Sequence, residues 1–244
     1  MSRINAIRVS VLALLLSACT GNAGLLDDLS REYANRTGSS KPATQQQMVA
    51  GVREALNQGT DRAVKYLGRK DGFMKNPQVR IPMPSHLRSI DKGLRSVGQG
   101  KVADDFILSL NRAAESAVPL AKNVLTDAIR KMTVQDVVNI VRGPDNAATE
   151  YFRRVSEPKL RKGMLPIVAR ETDRVGVTRS YKSLVQQAGP LASFVDTKSL
   201  DLDGYVTQKS LDGLFLLIAQ EEKRIRKEPV ARTTELLKLV FGGN

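Results

Sequence analysis

The chain has one cysteine, Cys19, one histidine, His86, and no tryptophan. A lone histidine excludes a His-based metal triad within one chain, and no HExxH segment is present. A lone cysteine excludes a disulfide framework, so stability must come from a packed core. Acids are scarce beside bases: 38 Lys and Arg face 25 Asp and Glu, a formal charge of +13. That balance bears on partners and solubility, not on fold. Long apolar runs are also lacking. VSVLALLL, at residues 9–16, is far shorter than the ~20 residues a membrane-crossing helix needs.

That short run is nevertheless informative. MSRINAIR precedes it with Arg3 and Arg8, no acid occurs before Asp27, and small residues follow it. A positive start, a short apolar stretch and a small-residue cleavage site describe a secretory signal. Its end, Leu16-Ser17-Ala18-Cys19, resembles the lipobox of bacterial lipoproteins. There the thiol takes diacylglycerol, the chain is cut before the cysteine, and the new amine is acylated, typically with palmitate. The resemblance implies a signal peptide at 1–18 and a lipid anchor at Cys19. Residues 19–46 then read as anchor and tether, which leaves 47–242 for one domain, expected to be helical on its apolar spacing. Thr20 in place of Asp after the cysteine implies the inner leaflet of a Gram-negative outer membrane, facing the periplasm. Loss of residues 1–18, with Arg3 and Arg8, leaves about 226 residues carrying +11, enough for one large domain. The expected partners are the membrane, through lipid on Cys19, and anionic head groups or cell-wall polymer. No cofactor is called for, and export makes nucleic acid an unexpected partner.

The remaining sequence predicts an all-α bundle of about 7–10 helices. Met48, Val52 and Leu56 share one stripe, continued by Ala63, Tyr66 and Leu67 after a break near Gly59. Phe106, Leu110, Ala113, Ala117, Ala121, Val124, Ala128 and Met132 recur every three or four residues, with Pro119 marking a kink or break. Thr133 and Asp136 have capping-box spacing. Asp145 or Asn146 is placed to cap the next helix, and Ser156 to start another with Pro158 in its first turn. Leu211, Leu214, Phe215, Ile218 and Ile225 line a long later helix. One stretch resists helix: in DGFMKNPQVRIPMP three prolines push their predecessors toward extended backbone. An extended arm is therefore expected near 74–84, anchored by Phe73, either as a connector packed on the core or as a peptide-binding edge.

Several phrases taken in order, GFMKNPQVRIPMP, NRAAESAVP, GPDNAATEYF, LDGLF and RTTELLKLVFG, resemble the bacterial domain-of-unknown-function family 4197. The resemblance spans residues 47–242. It implies a helical, exported, often lipid-anchored protein and brings no reaction, cofactor or catalytic residue.

Several near-motifs have simpler explanations. VGQGKVA, with Gly98 and Gly100, follows a helical stretch and not the strand a dinucleotide fingerprint needs, so it reads as a helix end and turn. SEPK at 156–159 lacks the companion elements of penicillin-binding enzymes. SLDLDGYVTQKS places Asp201 and Asp203 at calcium-loop positions, but Ser199 and Ser210 stand at the two ends where acids belong, so helix capping is the better reading. His86 reads as a surface or capping residue. The most polar side of a core-like helix holds Asn111, Arg112 and Glu115, for which Asp145, Thr149, Tyr151 and Arg153 are candidate partners. This set is either a buried network or a ligand cleft. Phe152–Lys182 carries nine Lys and Arg against three acids and, with Lys223, Arg224, Arg226 and Lys227, suggests one basic face. The expectation is a non-catalytic binding or structural module for an anionic partner. The alternatives are a hydrolase using carboxylates such as Glu115 and Asp145, or a carrier of an apolar ligand.

Overall fold

Residues 31, 44–194 and 201–241 are described by the computed structural model, and no strand occurs among them. The bundle runs α1 Gln45–Leu67, α2 Arg88–Ser96, α3 Gly100–Ala117, α4 Ala121–Arg130, α5 Val134–Arg142, α6 Ala147–Arg174, α7 Val177–Ala188, α8 Leu202–Lys227 and α9 Glu235–Phe241. Helix α8 is central. It packs against α6, α1 and α3, while α3 also meets α6 and α7.

The helix ends follow from local chemistry. Thr133 and Asp136 form a reciprocal capping box at α5. The Asp201 carboxylate accepts the Gly204 N–H at 2.8 Å and starts α8. Gly98, at φ 77°, takes the left-handed turn that closes α2, and the Gln99 N–H then reaches back to the Leu94 carbonyl.

Three elements differ from the sequence reading. Helix α1 passes unbroken through Gly59, which faces the Glu221 Cβ of α8, and Tyr66 leaves the buried stripe for the surface, where it is 38% exposed. At Pro119 the chain makes a 3-10 turn over Val118–Leu120, which shifts the helical phase. The buried face of α4 is accordingly Ala121, Leu125 and Ile129, and Val124 and Ala128 are only partly covered. Helix α6 starts at Ala147 and runs through Ser156, which is buried in mid-helix and caps nothing. Pro158 and Pro166 both lie on the solvent side of α6. The carbonyls they leave without an N–H, on Arg154 and Lys162, belong to exposed residues that water can reach.

The non-helical arm is present, but turns take up its first half in place of the expected extended backbone. Residues 71–79 form turns and 80–84 run irregularly, with Phe73, Val79, Ile81 and Met83 buried. It lies close on α8 because Gly213 offers no side chain: a Cβ there would sit 2.9 Å from Phe73 Cε1 and 3.2 Å from Val79 Cβ. Gly213→Val is expected to lower unfolding free energy by about 1–3 kcal/mol through overpacking, measured by urea denaturation.

Candidate functional site

The polar residues of α3 are spent on the arm. The Asn111 side chain lies against one peptide unit, its Oδ1 accepting the Ile81 N–H at 2.9 Å while its Nδ2 donates to the Ile81 carbonyl at 2.9 Å. Glu115 Oε1 accepts the N–H groups of Phe73 and Met74, both at 3.1 Å. Arg112 joins Glu115 to Asp71. Asp71 holds a left-handed backbone at φ 68°, and Gly72 follows where any Cβ would strike the carbonyls of Tyr66 and Leu67. Hydrogen bonds from Lys75 and then Arg112 hold the Asp71 carboxyl below the usual carboxylate range. Asn111 and Glu115 are therefore buried and satisfied. The Ile81 amide, Pro82 and Pro84 also leave the arm little free ladder for an added peptide strand.

The partners proposed for this set lie elsewhere. No hydrogen bond or ion pair joins Asp145, Thr149, Tyr151 or Arg153 to Asn111, Arg112 or Glu115; the start of α6 is bonded to the end of α8 instead. Asp145 pairs with Lys227, whose hydrogen bond lowers its carboxyl pKa. Tyr151 packs edge-on against Phe152, and burial raises its phenol pKa. Arg153 lies 4.9 Å over the Phe215 ring, and 3.9 Å from both Glu157 and Asp212. Neither Asp145 nor Asn146 caps α6 with its side chain. That role falls to Glu222 of α8, which accepts the N–H groups of Ala148 and Thr149 at 2.9 and 3.0 Å and the Thr149 hydroxyl at 2.9 Å. Arg226 binds Glu222 and donates to the Ile140 carbonyl at the end of α5. Arg232 then caps α8 through the carbonyls of Ile225 and Arg226. The i,i+4 spacing of Glu222 and Arg226 was the only sequence signal of this pair, and it resembled an ordinary surface pairing.

The other chemistry candidates are placed as follows. His86 is exposed, with Nδ1 3.4 Å from Ser85 Oγ. Asp201 caps α8, and Asp203 accepts the Thr172 hydroxyl at 2.6 Å. No group of three metal-ligating side chains gathers among the described residues. Ser199, Cys19 and most of the 19–46 tether lie outside the described residues.

The surface offers three features of interest. An apolar cavity between α1, α5, α8 and α9 holds about 20 Å³, room for roughly one water and not for a lipid chain. Two grooves flank the arm, sharing Gln78. One, of about 860 Å³, runs between α1, the arm and α8, lined by Arg62, Lys65, Tyr66, Arg69 and Lys75. The other, of about 440 Å³, lies between the arm, α6 and α8, with Arg80, Thr149, Arg153, Asp212 and Leu216 in its wall.

The third feature is the outer face of α6. From Arg154 to Arg170 every exposed residue is basic (Arg154, Lys159, Arg161, Lys162, Arg170), apolar (Val155, Leu165), glycine or proline. Glu157, half-buried, lies 3.7 Å from Arg161, and Lys159 reaches Asp127 at 3.8 Å. Of the expected extension onto α8 only Lys223 is exposed and outside any ion pair among the described residues: Arg226 is buried against Glu222, Arg224 is held by Glu221 and Lys227 by Asp145. The basic face belongs to α6.

These features describe an all-helical protein whose buried polar residues pin a proline-rich arm and whose long helix α6 exposes no acid between Arg154 and Arg170. The chain belongs to the family described as a protein of unknown function, DUF4197, which matches residues 42–242. No curated protein and no solved structure matches the chain significantly. No helix among the described residues is long and apolar enough to cross a membrane.

Proposed function

We propose that this protein is a lipid-anchored periplasmic module of the outer membrane, not a catalyst, that binds an anionic surface through α6. The acid-free exposed stripe of α6 carries this reading. Five cations interleaved with Val155, Leu165 and two prolines suit a helix lying at a head-group layer, its apolar side chains entering and its charges meeting phosphates. The lipobox-like Cys19 supplies the second half of the argument. Several acyl chains on one cysteine would anchor the protein stably by themselves, so the lipid holds it at the membrane and the basic face sets which side lies against the head groups.

The test is cosedimentation of the Cys19→Ala variant with vesicles. Binding to phosphatidylglycerol vesicles is expected, with little to phosphatidylcholine, falling steeply between 50 and 500 mM salt as the Debye length shrinks from roughly 14 to 4 Å. Binding that ignores both lipid charge and salt contradicts the proposal.

A further inference from the structure

We propose that the groove between α1, the arm and α8 binds an acidic peptide segment held extended by a partner protein. This site is separate from the α6 face. Arg62 and Lys65 lie one helical turn apart near the end of α1, Arg69 follows just past its Gly68 C-cap, and Lys75 lines the same groove from the arm. Among the described residues no carboxylate lies within ion-pair distance of Lys65 or Arg69, whereas Arg62 shares Glu221, itself at the groove, with Arg224. Lys75 pairs with Asp71 at 2.9 Å, so Lys65 and Arg69 are the cations open to an incoming acid. The floor is apolar, made by the buried Ala63 and Leu217. Gln78 and Gln220 join through their amides at 2.9 Å at the same groove, leaving further amide groups able to meet a peptide backbone.

The shape of the charge selects the occupant. Cations strung along the end of α1 and the residues just after it do not converge on a compact phosphate. A sugar needs an open aromatic face, but the Arg69 guanidinium already covers the Tyr66 ring at 4.1 Å. In an extended peptide, side chains two residues apart lie about 7 Å from each other on one face. Alternating acids can then meet the rim cations while the intervening apolar side chains face Ala63 and Leu217.

The test uses the full chain in zwitterionic detergent and a fluorescein-labelled peptide of three Glu-Leu repeats, read by anisotropy. Saturable binding is expected, weakened roughly tenfold or more by Lys65→Glu with Arg69→Glu. That variant should still unfold cooperatively within several degrees of the wild type, since both residues are exposed and lose only the Arg69–Tyr66 stacking and a favourable charge at the end of α1. Arg161→Glu with Lys162→Glu should leave peptide affinity unchanged while impairing vesicle binding, so this proposal and the α6 proposal fail separately. Equal affinity for a Gln-Leu peptide, unchanged affinity in the Lys65/Arg69 variant, or binding of an alginate oligomer but not the peptide would overturn it.

Discussion

Glu222→Ala is expected to cost about 3–5 kcal/mol of folding stability, the largest effect of any single substitution considered. The carboxylate is 8% exposed, and its removal does two things at once. It strips the cap from the second and third N–H groups of α6, those of Ala148 and Thr149, and it leaves Arg226, 6% exposed, as a buried cation without its anion. An uncompensated buried charge is costlier than a missing pair, so Glu222→Leu with Arg226→Met should recover part of the loss. Thermal unfolding is the measurement, with a fall on the order of 10 °C for Glu222→Ala. A shift within a degree or two would mean that the network carries little stability.

Asn111→Leu follows, with an expected loss of about 2–4 kcal/mol, because both the N–H and the C=O of Ile81 are left buried without partners. The same substitution should loosen the arm before it unfolds the bundle. Limited trypsin digestion reads this directly: cleavage after Lys75 and Arg80 should become fast while the helices stay protected. Uniform acceleration at all sites would instead indicate global destabilisation and no special hold on the arm.

Much of the bundle was legible because periodicity and caps are local properties. The stripe Leu211, Leu214, Phe215, Ile218 and Ile225 is buried as spaced, and Thr133 and Asp201 cap as their neighbours suggest. The proline-rich arm was legible as the one stretch that could not be helical. Misreadings arose where a distant partner decides the outcome. Gly59 looked like a break, but α8 lies against it; Pro158 looked like a helix start, but the carbonyl it frees faces water. The 3-10 turn at Pro119 re-phased α4, which no stripe drawn across it could show.

The polar residues divide on the same principle. Asn111, Arg112 and Glu115 stood out because they interrupt an apolar face, yet their partners Asp71, Phe73, Met74 and Ile81 lie 30 or more residues away and are mostly backbone groups. Backbone acceptors and donors leave no trace in composition. Glu222 was hidden for the opposite reason. It sits in EEKRIRK, a run that resembles any solvated helix end, and only the start of α6 folding onto it makes it a cap.

The central claim is that α6 faces an anionic membrane, and site-directed quenching tests it most directly. A bimane label at Leu165→Cys on α6, and separately at Tyr66→Cys on α1, is placed in the Cys19→Ala background and mixed with phosphatidylglycerol vesicles containing brominated lipid. Strong quenching at 165, little at 66, and loss of the difference at high salt is the predicted result. Equal quenching at the two positions, or stronger quenching at 66, would contradict it.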